Sequence, residues 1–142
     1  MAIQTSDAVT SINVAKKNKY ADLNLAFLKH PIFADVTPLN DIDAVKQSVK
    51  NLVLTNFLEK PFHPEIGGNV TRLLFEPADA FTGIAIRDEI QRVLDEYEPR
   101  INAVNIEILD DADKNMYRIT IGFNIIYVNL ETEVNFNLQR LR

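Results

Sequence analysis

The chain has 142 residues, 46% hydrophobic and 25% charged, a balance that suits one folded domain with a real core and excludes a disordered or membrane-like composition. A net charge of −5 argues against nucleic acid as a partner, because phosphate tracking needs clustered Lys and Arg, and Lys16, Lys17 and Lys19 are too few. The absence of cysteine removes disulfide, thiolate and Cys-zinc chemistry.

Met1 to Ser6 opens no secretory apolar region, and no apolar run approaches a membrane span, so a soluble protein made in the cytoplasm is expected. Residues 1–20 are rich in Ser, Thr, Asn, Ala and Lys without a sustained period, and read as a flexible N-terminal arm ordered by a neighbour. Residues 21–142 read as a single domain. Its first element is a short half-buried strand, in which Leu23, Leu25 and Phe27 alternate with smaller or polar residues. His30-Pro31 and Thr37-Pro38 then mark an extended connection.

A helix is predicted over 41–59. Asn40 is its N-cap, Asp41 and Asp43 favour the positive end of the dipole, and Leu39 can pack on Ala44. Val45, Val49, Leu52, Val53 and Phe57 form its buried stripe, and Lys60-Pro61 closes it. Pro61 to Gly68 must be a loop, since two prolines and two adjacent glycines defeat both regular periods. Asn69 caps a short helix through Val70, Leu73, Leu74 and Phe75, which ends at Glu76-Pro77.

The clearest amphipathic helix spans 83–97, with Ile86, Ile90, Val93, Leu94 and Tyr97 on one face and charged residues on the other. Pro99 lacks a backbone N–H and disfavours helical geometry at Glu98, so the helix stops at Tyr97 or Glu98. Arg100 beside that last turn has two readings. It caps the unpaired terminal carbonyls, or it faces a partner.

Three strand-like runs follow this corner. Val104, Ile106 and Ile108 alternate with polar residues, and Asp110 to Asn115 is a polar turn. Tyr117, Ile119, Ile121, Phe123, Ile125 and Tyr127 share one face, and Val134, Phe136 and Leu138 alternate with Asn135, Asn137 and Gln139. Helices that precede a meander, rather than alternating with strands, define an α+β class with the helices packed on one face of a small antiparallel C-terminal sheet.

No catalytic signature appears. His30 and His63 each stand alone before a proline, no metal-ligand spacing, nucleophile elbow or phosphate loop is present, and Glu65, Glu76 and Glu98 are chance candidates for a glycosidase pair. No cofactor is expected. The last strand carries no charge between Glu133 and Arg140, so it is either permissive for strand addition by another protein or an ordinary edge protected by the adjacent N-terminal arm.

Tyr20-Ala21-Asp22-Leu23, the capped helix from Asp41, the Pro61 to Gly68 loop leading to Phe75-Glu76-Pro77, and Glu98-Pro99-Arg100-Ile101 together resemble the small baseplate wedge proteins of contractile tails. These are the sheath initiators of T-even-like phages, tailocins and type VI secretion baseplates. The resemblance runs from about residue 20 to 140. It implies a sheath-handshake-like domain, docked on the helical core bundle of other wedge proteins and templating the first sheath ring.

It also implies a virion baseplate location, six copies per baseplate, and the tail tube or hub as further partners. Lysozyme activity, which some members are labelled with, has no support in these residues. The implied protein-binding residues are Glu98, Pro99 and Arg100 at the corner, and Val134, Asn135, Phe136, Asn137, Leu138, Gln139 and Arg140 at the edge. The alternatives are a peptidoglycan-degrading tail enzyme and a soluble binding module outside any particle.

Overall fold

The computed structural model describes residues 20–140 except Phe33 and Ala78, and the side chain of Ala103 is also left aside. The expected N-terminal arm, apart from Tyr20, lies outside the described residues.

Two short strands, β1 (Ala21–Leu23) and β2 (Pro38–Asn40), pair antiparallel. The strand expected to reach Phe27 ends at Leu23. The Asn24 side chain accepts the Ala26 N–H at 2.9 Å, and its carbonyl accepts the Phe27 N–H at 3.0 Å, closing a turn that leaves Leu23, Leu25 and Phe27 exposed. The connection from His30 to Val36 is itself a small hairpin, joined by a Lys29–Val36 bridge.

Helix α1 covers Asp41–Leu54, five residues short of the expected 59. Asn40 sits at the N-cap in extended geometry but makes no side-chain cap bond. The Thr55 N–H still makes the helical bond to the Asn51 carbonyl at 2.9 Å, with its hydroxyl on the same oxygen at 2.7 Å, but the Thr55 backbone is extended (ψ 126°) and Asn56 pairs with Gly68 across the following loop, which ends the helix. Phe57 therefore leaves the helical stripe, and its ring lies under the Arg92 guanidinium at 5.2 Å. A single turn, α2 (Val70–Leu73), follows, with no side-chain cap from Asn69.

Helix α3 (Ala80–Tyr97) begins three residues before the expected start. Asp79 accepts the Thr82 N–H at 2.7 Å, and the Thr82 hydroxyl donates to the Pro77 carbonyl at 2.7 Å, so the two side chains close the first turn. The helix ends at Tyr97, as the proline requires.

The remaining chain is an antiparallel meander of β3 (Ile101–Asp111), β4 (Met116–Ile125) and β5 (Leu130–Gln139), in that spatial order. A register shift between Asn102 and Asn105 bends the start of β3. A 3-10 turn (Ala112–Lys114) joins β3 to β4 and closes on Asn115, which takes the left-handed conformation that asparagine tolerates. β4 ends at Ile125, so Tyr127 sits half-exposed in the next turn, edge-on to Tyr20 at 6.0 Å, and not on the inner face.

The apolar face of the sheet, with Tyr117, Ile119, Ile121, Phe123, Ile125, Val134, Phe136 and Leu138, packs under Val45, Val49 and Val53 of α1 and Ile86, Ile90 and Leu94 of α3. This burial, worth roughly 1.5–3 kcal/mol per large side chain, holds the two layers together. It confirms an α+β fold with its helices on one face of the sheet. No helix among the described residues is long and apolar enough to cross a membrane.

Candidate functional site

The corner between α3 and β3 is built by one buried carboxylate. Glu98 occupies the C-cap of α3, donates its N–H to the Leu94 carbonyl at 3.0 Å, and is only 3% exposed. Its carboxylate accepts three hydrogen bonds: Arg100 Nε at 2.5 Å, an Arg100 terminal nitrogen at 2.6 Å, and the Ser48 hydroxyl of α1 at 2.7 Å. Burial by itself pushes the Glu98 carboxyl up. The Arg100 guanidinium and the Ser48 hydroxyl outweigh that effect and hold it below the usual carboxylate range.

The expectation that Arg100 caps the terminal carbonyls of α3 is corrected here. Its guanidinium is spent on Glu98 in a fork-to-fork pair, because a buried carboxylate is a stronger acceptor than a solvated carbonyl. The Arg100 side chain is still 29% exposed, and its outer face lies over the Tyr20 ring at 5.4 Å. The Arg100 carbonyl accepts the Ile126 N–H at 3.1 Å, fastening the corner to the turn after β4. Pro99 is exposed at the apex. Pro99 and the rim of Arg100 are thus the solvent-facing part of the corner, with Glu98 buried behind the arginine it holds.

The second feature is the edge of the sheet. β5 pairs with β4 on one side, and no described strand pairs with it on the other. The Arg140 N–H bonds the Asn115 carbonyl at 3.0 Å, which makes that pair, and every second pair along the ladder, hydrogen-bonded. The backbone groups of Leu138, Phe136 and Val134 therefore point to β4, and those of Gln139, Asn137, Asn135 and Glu133 point outward. Val134, Phe136 and Leu138 bury their side chains in the core, so the outward row belongs entirely to the polar residues.

Arg140 belongs elsewhere. Its side chain is 5% exposed, pairs with Asp110 and stacks on the Tyr117 ring at 4.5 Å, so it closes the end of the sheet from within and offers a partner no free cation. Beside the other end of the edge, a groove of about 660 Å³ runs between Leu25, Leu39, Lys46 and Lys50 on one side and Val134 and Asn135 on the other.

Corner and edge belong to elements that share one hydrophobic core, and no described hydrogen bond or ion pair joins them directly. Ser48 escaped the sequence reading. The available signal was a hydroxyl three residues after Val45 and next to Val49, on the border of the apolar stripe of α1, a position that needs a partner where it is buried. Among the described residues no group of three or more His, Asp or Glu is placed to hold a metal ion.

This small α+β domain, with its pinned corner and a last strand that no other described strand pairs on its outer side, shares its fold with components of contractile-tail baseplates. A chain of the type VI secretion system baseplate complex superposes with a TM-score of 0.58 at 14% identity, covering 69% of this chain and 92% of that one. A protein of Geobacter sulfurreducens described as a putative tail lysozyme superposes with a TM-score of 0.64 at 18% identity, covering 69% and 89%.

The chain belongs to the family of the baseplate wedge protein gp25, whose model matches residues 40–129, a span that holds α1, α3 and the corner and stops at the start of β5. The baseplate wedge protein gp25 of Enterobacteria phage T4 is 26% identical over 92 residues, covering 65% of this chain and 70% of the T4 protein.

Proposed function

We propose that this baseplate wedge protein docks on the helical core of its wedge through the Pro99–Arg100 corner and templates the first ring of tail sheath by strand pairing at β5. The observation that carries this reading is the outward row of backbone groups on Glu133, Asn135, Asn137 and Gln139. A strand with four outward positions that no described strand pairs, no Lys or Pro among them, and a buried apolar face behind it is a ready template for an extended segment.

The corner supplies what a template needs, a fixed orientation. Glu98 ties α3 to α1 through Ser48 and to the start of β3 through Arg100, so a contact at Arg100 sets the angle of the whole sheet. Six copies around a tube would then present six edges at one radius, each weak strand contact reinforced by its neighbours. The tail tube or hub would lie on the inner side of that ring.

Glycoside hydrolysis finds little support. It requires a carboxylic acid kept protonated at working pH, and the one buried glutamate is pulled the opposite way by Arg100 and Ser48. The likeness to a putative tail lysozyme is a likeness of fold.

The test is particle assembly with Asn135→Pro and Asn137→Pro, which remove two outward N–H groups and spare the ladder to β4. Baseplates that contain the variant and carry no sheath are the expected product. Normal sheath on those baseplates would sink strand pairing at this edge.

A further inference from the structure

The loop between α1 and α2 exposes the two most solvent-accessible large apolar side chains among the described residues, Leu58 at 82% and Phe62 at 98%. Both have positive φ, 66° and 67°, a region that bulky side chains avoid unless the surrounding structure imposes it. The loop is pinned from behind. The Leu58 N–H bonds the Pro64 carbonyl at 3.0 Å, the Tyr97 hydroxyl donates to the Glu65 carbonyl at 2.8 Å, and Arg92 donates to the Gly67 carbonyl at 3.2 Å. Two apolar side chains held outward by a fastened loop have the form of contact anchors.

This loop is continuous with the corner. Tyr97, which holds it, precedes Glu98 directly. A groove of about 430 Å³ is lined by Asp22, Ser48, Leu52, Glu59, Lys60 and Ile66, so the serine that donates to Glu98 forms part of its wall. Two carboxylates against one ammonium make the lining acidic. Apart from Asp22 the lining is helix and loop, which suits recognition by side chains.

We propose that the Leu58–Ile66 loop is a second docking element for the wedge core and receives an amphipathic helix, its apolar ridge on Leu58 and Phe62 and its basic side chains toward Glu59 and Asp22. The proposal rests on the corner-docking reading above and extends it to a surface that reading does not use.

The experiment places a photo-crosslinking phenylalanine analogue in complete particles, in place of Phe62, Pro99 and Asn137 in turn, and identifies the adducts by mass spectrometry. Adducts from positions 62 and 99 on one wedge protein, with position 62 reaching an apolar and basic helical segment, are expected. A Leu58→Ser, Phe62→Ser variant should lose at least tenfold in co-purification with that wedge protein at an unchanged Tm, since neither side chain is buried.

Position 62 giving no adduct, or reaching only sheath, tube or a second copy, while position 99 reaches a wedge protein, would overturn the loop and leave corner docking intact. Position 62 alone reaching a wedge protein would uphold the loop and remove the corner from docking. No wedge adduct from either position would overturn both.

Discussion

Arg100 grips the carboxylate of Glu98, two residues before it, through two hydrogen bonds of 2.5 and 2.6 Å, with Pro99 turning the chain between them. The proline stops the helix and the ion pair stabilises the stop, so one short segment both ends α3 and aims β3.

Arg100→Ala should therefore destabilise the isolated domain. It leaves a buried carboxylate with only the Ser48 hydroxyl, and breaking such a pair costs about 2–4 kcal/mol, at the lower side because the arginine is partly solvated. Arg100→Lys, which keeps the charge and loses the fork, should cost less. Urea unfolding of the three proteins checks this, and a loss under about 1 kcal/mol for the alanine would mean the pair is open in solution.

The same carboxylate makes stability depend on acid. The folded Glu98 is held below the range of an unfolded glutamate, so its contribution is full above the unfolded pKa and is lost as pH falls through the folded value. Unfolding free energy should fall below about pH 5. Glu98→Gln should be less stable than wild type at neutral pH, with a smaller loss on acidification. Glu89, also held low, chiefly by Arg92, keeps part of the slope in that variant.

Charge in the core should not be tolerated. Ile90 and Ile121 are fully buried on the facing surfaces of α3 and β4. Ile90→Ala should cost about 2–5 kcal/mol and Ile90→Asp should exceed the total stability of an ordinary domain, roughly 5–15 kcal/mol. Circular dichroism of the aspartate variant should show no cooperative transition.

Proline separates the two sides of β5. Phe136→Pro removes a bond to β4 and should destabilise by about 3 kcal/mol or more, whereas Asn137→Pro removes an outward N–H and should cost about 1 kcal/mol. Thermal melts of the pair test the assigned parity of the edge independently of any partner.

Two glycines should respond with opposite signs. A Cβ on Gly67, at φ +126°, would meet the Thr55 carbonyl oxygen at 2.6 Å, so Gly67→Ala should destabilise by more than about 1 kcal/mol and loosen the loop. Gly83 lies in α3 with open space around its Cβ position, so Gly83→Ala should stabilise by about 0.5–1 kcal/mol. Denaturant midpoints of the two variants provide the comparison.

The sequence by itself determined the helical faces of Val45 and Val49 and of Ile86, Ile90 and Leu94, the end of α3 before Pro99, and the alternation of β4 and β5. Each follows from a local period or from the missing N–H of a proline, properties that neighbours in the chain carry without the rest of the fold. The polar identity of the edge row was legible for the same reason. Tertiary structure decided the rest.

Helix α1 stops at Leu54 because Asn56 pairs with Gly68, a contact no local propensity encodes. Ser48 joins Glu98 from fifty residues away, and that burial turned Arg100 from a cap of terminal carbonyls into half of an ion pair. Arg140, which looked like the charged end of a free edge, folds back onto Asp110 and Tyr117 once three strands align. The sign of a charge is written in the sequence. Whether water or another side chain satisfies that charge depends on which distant segments exclude the water.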